Sequence, residues 1–335
     1  MTRALEDAEL LPLLDALADA DWHSGEGLAA AAGISRAALA KRIDRLLDWQ
    51  LEIEARAGLG YRLAQPLQRL DAAVIRAGLS ASAQMLLNTV AVALRVDSTN
   101  QRLIDSGAAQ DPQALFAEAQ TAGRGRRGRA WRSPFGANLY LSLGWSFKIW
   151  PPQLGTLPLV VGVACARALA KIGIANVGLK WPNDLRIGNA KLGGILIEQR
   201  GEFGGACRVV AGVGINFAMS AAQAGVIEQE WTTVQAALGG IACSRNTLAV
   251  ALLNELLLAL AAFEQRGFSP FRGEWSALDL SAGREVRIEG PGQTLTGRAC
   301  GIDESGALIV DVAGQRHFVH AGEVSLRLPA DPGQR

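Results

Sequence analysis

The chain has 335 residues, 49% of them hydrophobic, and its 33 basic and 32 acidic side chains leave a formal net charge of +1. That length predicts two or three domains with sizeable cores, and the near-neutral balance excludes a globally basic nucleic-acid coat, so any nucleic-acid contact has to come from a local patch. The four cysteines, Cys165, Cys207, Cys243 and Cys300, are far apart and form no CxxC pair, which predicts reduced, mostly buried thiols in a cytosolic protein without structural zinc.

The N-terminus carries Glu6, Asp7 and Glu9 and is no secretory signal. Residues 8–66 read as a small helical unit finished by a hairpin. A helix around 8–18 leads to Ser24, an N-cap for an alanine-rich helix that Gly33 ends. Ser35 caps the next. Leu39, Ile43, Leu46 and Leu47 then recur at the spacing of one apolar helical face, while Arg36, Lys41, Arg42 and Arg45 occupy the remaining surface. Two helices joined by a Gly-containing turn, the second with a basic outer face, make a helix-turn-helix arrangement whose second helix enters the DNA major groove. Residues 51–56 and 61–63, joined across Ala57-Gly58-Leu59-Gly60, read as a two-stranded wing with Arg56 and Arg62 beside its tip. A protein-interaction module with a solvated basic face fits the same pattern.

Gln65-Pro66-Leu67 marks a linker. Beyond it strands alternate with helices. A β-branched run at 90–96 ends in Asp97-Ser98-Thr99-Asn100, a cluster of N-cap and turn formers before a helix near 101–106. A helix start binds anions readily, so Ser98, Thr99 and Asn100 are candidates to line a polar pocket; a plain cap explains them as well.

Residues 114–119 deliver the chain to Gln120 and then to Gly123-Arg124-Gly125-Arg126-Arg127-Gly128-Arg129, closed by Trp131. Three glycines in seven residues suit neither helix nor strand, so a mobile loop is expected. Guanidinium groups suit bidentate contact with phosphate or carboxylate, and backbone N–H groups can add to the cradle. An exposed segment that only solvates or adheres to nucleic acid is the alternative.

Residues 138–143 alternate as a half-buried strand, and a helix rich in Ala and Val follows from Pro158 to about Lys171. The apolar runs at 157–169 and 248–263 are punctuated by Gly, Arg, Asn or Glu and do not read as membrane spans. A strand at 177–180 places Lys180 at its end, before Trp181-Pro182-Asn183-Asp184. A turn then returns the chain to Lys191-Leu192-Gly193-Gly194 and a strongly β-forming run. Lys191 is thus carried on a rigid element beside bare backbone, a candidate charge stabiliser for phosphate chemistry, although a surface hairpin carries the same turn residues. The strand at 209–217, with Gly212 and Gly214, forms a wall of the same pocket and carries Asn216 at its end. A long helix at 246–265, capped by Asn246 and stopped by Gly267, is expected to pack. From Glu285 onward, short period-two strands with Gly-rich turns, the last at 322–327, imply a small antiparallel barrel. His23, His317 and His320 share no metal-ligand spacing with a Cys or acid pair, so no metal site is expected.

Gln120 through Trp131, Ser133-Pro134-Phe135-Gly136-Ala137-Asn138-Leu139-Tyr140, Lys180-Trp181-Pro182-Asn183-Asp184 and Lys191 through Glu198 occur together and in that order. The set resembles the biotin protein ligases (holocarboxylase synthetases) and, with the N-terminal unit, those that double as biotin operon repressors. The resemblance runs from about His23 to Arg327. It implies an α+β multidomain fold: a winged helix-turn-helix at 1–66, a mixed-sheet α/β ligase domain of class II synthetase type at 67–273, and an SH3-like β-barrel at 274–335. It implies a cytoplasmic enzyme that uses ATP with Mg2+ to make biotinyl-5′-AMP and transfers biotin to a lysine of the biotin carboxyl carrier protein. It further implies a ligand-promoted homodimer on operator DNA with biotinyl-AMP as corepressor.

By residue, the resemblance assigns catalysis to Lys191 and Arg126. Biotin falls to Ser98, Thr99, Asn100, Gln120, Gly123, Arg124, Arg126 and Lys191. The nucleotide falls to Arg124, Arg129, Trp131, Lys180, Asn183, Asp184, Asn216 and Arg327, and DNA to Ser35, Arg36, Lys41, Arg42, Arg45, Arg56 and Arg62. The wing tip departs from the family, with Leu59 where a lysine is usual. A ligase with a vestigial or protein-binding N-terminal unit, a lipoate ligase of the same fold, and a non-catalytic sensor of a small acid are the competing readings.

Overall fold

Serine caps start the second and third helices in the computed structural model, which describes residues 7–225, 227–290, 293–320 and 325–327. Ser24 Oγ accepts the Gly27 amide at 3.0 Å and Ser35 Oγ the Ala38 amide at 3.2 Å, each filling a donor that a helix start leaves unpaired. After a 3-10 turn at Asp7–Leu10 the helices are α1 (Leu11–Leu17), α2 (Gly25–Ala31) and α3 (Arg36–Asp48). Leu39, Ile43 and Leu46 are buried with Leu10, Leu13, Leu14 and Leu17. Leu47, expected on that face, is exposed, because one further residue of helical rotation carries it past the edge of the stripe. Strands β1 (Ile53–Arg56) and β2 (Gly60–Leu63) pair antiparallel, Arg56 opposite Gly60.

This unit does not close on itself. Ala119 and Phe135 from later in the chain complete its core, and Trp49 stacks on Phe135 with ring centroids 4.7 Å apart. The linker expected at 65–67 is likewise fastened: the Leu67 amide donates to Ala18 O at 2.9 Å. Just beyond it, Arg245 donates to Gln68 O at 2.6 Å and lies 2.7 Å from the Glu118 carboxylate, which accepts the Leu70 amide at 2.6 Å.

The central unit runs α4 (Ala72–Gly78), α5 (Ala81–Leu86), β3 (Thr89–Val96), α6 (Thr99–Ser106), β4 (Gln113–Gln120), β5 (Asn138–Phe147), α7 (Leu157–Lys171), β6 (Gly178–Lys180), β7 (Asp184–Ile187), β8 (Ala190–Gly201) and β9 (Cys207–Asn216). The seven strands order β3-β4-β5-β9-β8-β7-β6, and among these pairs only β3 with β4 is parallel. A parallel pair needs a crossover, here α6, which brings Ser98 to Asn100 beside Gln120 at the ends of two adjacent strands. β5 was expected to be half-buried; it lies between β4 and β9 and is buried on both faces except at Ser146.

Short helices α8 (Ala221–Ala224) and α9 (Val234–Leu238) precede α10 (Arg245–Arg266) and α11 (Ser269–Leu278). The cap of α10 is Ser244, whose Oγ accepts the Thr247 amide at 3.0 Å. Asn246, expected to be that cap, sits in the first turn and instead binds the backbone of Arg69 and Asp71. By length and composition alone Leu154–Lys171 and Arg245–Arg266 could each span a membrane, but 72% and 67% of their apolar windows are buried within the fold. β10 (Glu285–Gly290), β11 (Gln293–Ile302), β12 (Leu308–Val312), β13 (Gln315–Val319) and β14 (Ser325–Arg327) form an antiparallel sheet in the order β13-β12-β11-β10-β14. Of the cysteines, expected to be mostly buried, Cys165 and Cys207 are buried, Cys243 is half-buried and Cys300 is exposed, since Ala299 takes the inward position on β11.

Candidate active site

Where β3 and β4 end, four polar side chains lock together. The Thr99 amide and hydroxyl donate to Gln120 Oε1 at 2.9 and 3.1 Å. Ser142 Oγ, from β5, lies 2.7 Å from Thr99 Oγ1 and 2.5 Å from Asn100 Oδ1. Thr99, Asn100 and Ser142 are all buried, and at such sites polar groups persist only when paired. Ser98, the α6 cap, accepts the Gln101 amide at 3.4 Å. A Cβ at Gly212 would collide with Asn100 Oδ1, and one at Gly214 would lie 2.7 Å from the Trp131 indole. Both glycines are therefore spacers for pocket side chains.

The Arg/Gly segment, expected as a loop outside helix and strand, is closed into a hairpin. Gly125 N–H donates to Arg129 O at 2.7 Å, Trp131 N–H to Gly123 O at 2.8 Å, and Arg124 bridges Ala130. Arg126–Gly128 form a 3-10 turn with Arg127 at φ 58° and Gly128 at φ 70°. Arg124 Nη2 donates to Gln101 Oε1 at 2.8 Å and Arg126 Nη1 to Asn183 Oδ1 at 3.3 Å. Burial pulls the Arg126 guanidinium below its usual range, and Asp184 opposes the shift.

Opposite the hairpin, Lys191 Nζ lies 2.7 Å from Asp184 Oδ1 and 5.5 Å from the centroid of the Trp131 ring. Its backbone is pinned by a parallel bridge to Trp231: Lys191 N–H donates to Glu230 O at 2.9 Å, and Lys191 O accepts the Thr232 amide at 2.9 Å and Asn216 Nδ2 at 3.3 Å. Asn183 Nδ2 donates to Ile195 O at 2.8 Å, tying the turn after Trp181 to β8.

These elements enclose a cavity of about 300 Å³. Ser98, Thr99, Asn100, Gln120, Arg124, Arg126, Arg129, Trp131, Lys180, Asn183, Asp184, Lys191 and Asn216 all line it. Gly123 stands behind the wall, its carbonyl holding Trp131. The Arg327 side chain lies outside the described residues, although its neighbour Leu326 lines the cavity. Trp231, Met219, Ile227 and Gln229 also line it and were not expected from the sequence, nor was Ser142, which does not line the cavity but braces Thr99 and Asn100. A polar residue at an inward position of an apolar strand was the signal for Ser142; for Trp231 no local pattern gives one. Among the lining residues Asp184 is the one carboxylate, facing five arginines and two lysines. That surplus suits a polyanion, and field lines focused in a cleft strengthen it.

The seven residues expected at DNA lie away from the cavity. Arg36, Lys41 and Arg56 are exposed and Arg42 is half-buried. Ser35 caps α3. Arg45 turns onto Asp48 at 3.3 Å and Asp7 at 3.9 Å. Arg62 is held by Glu54 at 2.8 and 3.0 Å and lies 4.7 Å from the centroid of the Trp22 ring.

Residues 92–216 match the biotin/lipoate A/B protein ligase family and residues 282–327 the biotin protein ligase C terminal domain. The bifunctional ligase/repressor BirA of Salmonella typhimurium is 44% identical over 95% of this chain and 97% of its own length. The biotin–[acetyl-CoA-carboxylase] ligase of Mycobacterium tuberculosis is 37% identical over 70% of this chain and 87% of its own. Among solved structures, the Aquifex aeolicus biotin protein ligase in complex with biotin and ATP superposes with a TM-score of 0.62 at 28% identity, covering 72% of this chain and all of that one.

Proposed function

The chain belongs to the family of bifunctional biotin protein ligases and repressors, and from that premise we propose that its cavity joins biotin to ATP and hands the product to a lysine of a biotin carboxyl carrier protein. The observation that carries this reading is one cavity lined both by an amide-and-hydroxyl floor (Thr99, Asn100, Gln120), with buried Ser142 bracing Thr99 and Asn100, and by a cationic wall (Arg124, Arg126, Arg129, Lys180, Lys191). The floor can hold a neutral polar ring system, and the wall a carboxylate and a triphosphate.

In the first step a biotin carboxylate oxygen attacks the α-phosphorus of ATP. The P–O bond to pyrophosphate breaks, giving biotinyl-5′-AMP. In the second, the carrier lysine amine attacks the acyl carbon, loses a proton and expels AMP. A carboxylate and a triphosphate, both anionic, meet in step one, so alignment and charge stabilisation dominate over acid–base work. Lys191, its Nζ 2.7 Å from Asp184 and 5.5 Å from the Trp131 ring centroid, takes the charge on the reacting oxygens. Arg126, anchored on Asn183, closes over the acyl phosphate, while Arg124, Arg129, Lys180, Asn183, Asp184, Asn216 and Trp131 frame the nucleotide, and Arg327, at the end of β14, is read as a further nucleotide contact. The hairpin at 123–131 covers the anhydride from water once both substrates are seated.

Among the described residues no group of three His, Cys, Asp or Glu could cage a cation. Mg2+ fits this site as a companion of the nucleotide, since it binds through phosphates and retained water with one or two carboxylates. Asp184, the one carboxylate among the lining residues, would be its protein ligand, and Mg2+ there would neutralise the departing pyrophosphate.

On this reading residues 1–66 form a winged helix-turn-helix that puts α3 in the operator major groove, residues 67–273 the class II synthetase-like ligase domain, and residues 274–335 an SH3-like barrel. Biotinyl-AMP acts as corepressor in a cytoplasmic homodimer; Phe203 and Ile149, 91% and 74% exposed beside the central sheet, supply apolar surface for it. A second reading, a ligase whose N-terminal unit contacts protein rather than DNA, draws on the acids that occupy Arg45 and Arg62. Gel-shift titration with DNA upstream of biotin biosynthesis genes, with and without biotin and ATP, separates the two. A ligand-dependent shift supports the repressor, and its absence supports the alternative.

A further inference from the structure

Glu198 is not among the residues that line the cavity, yet it closes a circuit of polar contacts that begins and ends in the Arg/Gly hairpin. Its Oε2 accepts Asn100 Nδ2 at 2.8 Å. From Asn100 the circuit passes to Ser142, Thr99 and Gln120. Gln120 Nε2 then donates to Ser133 Oγ at 3.2 Å, which donates to Trp131 O at 3.1 Å. The other oxygen, Oε1, lies 3.7 Å from Arg124 Nη2. Arg124 and Trp131 stand on the two stems of the hairpin.

The two oxygens do different work. Asn100 is buried, its Oδ1 engaged by Ser142 and its Nδ2 by Glu198 and by Leu196 O at 3.2 Å. An amide held at both ends has a single orientation, and Glu198, with the shorter of the two contacts to Nδ2, shares with Leu196 O the fixing of which group Asn100 offers the cavity. The contact with Arg124 is more exposed, and such pairs are individually weak. Arg124 is also held by Gln101, so the ion pair adds the β8 side of a clamp whose α6 side already exists.

We propose that Glu198 is a positioning residue of the ligase, orienting Asn100 in the pocket floor and holding Arg124 so that the hairpin stays closed over activated biotin. This rests on the ligase reading of the cavity.

The two halves separate by substitution. Glu198→Gln keeps an acceptor for Asn100 and removes the charge facing Arg124; Glu198→Ala removes both. The experiment uses the full-length chain and measures KM for biotin in adenylation, and the rate at which preformed biotinyl-AMP leaves when chased with excess unlabelled biotin and ATP. Glu198→Gln is expected to speed release about fivefold, the upper range for an exposed pair, with KM for biotin changed by less than about twofold. Glu198→Ala is expected to speed release and also raise KM about tenfold, the scale of a lost charge-assisted hydrogen bond. Combined with Arg124→Gln, Glu198→Gln should release no faster than Arg124→Gln alone. Release and KM at wild-type values in Glu198→Ala, or a lowered melting temperature as its one defect, overturn the positioning role alone, as do multiplicative effects in the double variant. A wild-type protein that forms no biotinyl-AMP overturns the ligase reading and this proposal with it.

Discussion

Lys191 and Asp184 meet across the β7–β8 ladder at 2.7 Å, each side chain 17% exposed. The pair holds the ammonium in position before an anion arrives, on a backbone pinned by Glu230, Thr232 and Asn216. An ammonium fixed in advance needs no reorganisation when charge develops on the reacting oxygens, the condition under which such groups are most effective.

Lys191→Ala is therefore expected to lower the single-turnover rate of biotinyl-AMP synthesis by about 10²–10³, the scale for a preorganised charge stabiliser. The circular dichroism and melting profile should stay close to wild type. A near-wild-type rate removes Lys191 from the chemistry.

Arg126→Gly takes away the anchor on Asn183 at 3.3 Å. Biotinyl-AMP should then leave roughly 10²-fold faster, the scale on which a misplaced positioning group acts, and lysines on bystander proteins should become labelled. Mass spectrometry of a mixture of carrier protein and albumin reads this directly. Labelling confined to the carrier protein contradicts the role.

Much of this site was legible because its chemistry is local. The Arg/Gly run, Lys180 through Asp184 and Lys191 with its glycines each declare themselves within a few residues, and all three meet at one cavity. What escaped depends on contacts between distant segments. Trp231 reaches the cavity through its bridge to Lys191, and Arg245 fastens the linker from the start of α10. The hairpin conformation of the Arg/Gly segment escaped for another reason. Composition shows that glycines permit a turn, but the cross-stem bonds of Gly125 and Trp131 decide which one forms.

Asp279 supplies a pH test of the fold. Burial raises its pKa, against the lowering effect of its hydrogen bonds from Ser281, and its Oδ2 is buried without a hydrogen-bond partner. A carboxyl with a raised folded-state pKa binds more protons folded than unfolded, so stability falls as pH rises from the unfolded value of 3.8 through the folded one. Asp279→Asn, which keeps the acceptor for Ser281, should melt at higher temperature than wild type at pH 8, with the difference closing at acidic pH. A difference independent of pH refutes the account.

On the DNA side, Arg36 and Lys41 are exposed on α3, whereas Arg62 is occupied by Glu54. Arg36→Ala and Lys41→Ala should each weaken operator binding and reduce the salt slope by about one unit, as losing one phosphate contact does. Arg62→Ala should change the slope less. Fluorescence anisotropy across a salt series measures all three, and biotinylation by the same variants should stay at wild-type rates. Unaltered slopes for Arg36→Ala and Lys41→Ala would place the DNA face elsewhere.

The most direct test of the central claim is to incubate the purified chain with biotin, ATP, Mg2+ and a biotin carboxyl carrier domain, and to follow the carrier by intact-mass spectrometry. One biotin on one lysine, appearing only with ATP and lost in Lys191→Ala, is the predicted result. A carrier domain that stays unmodified by the folded wild-type protein, or becomes modified without ATP, contradicts it.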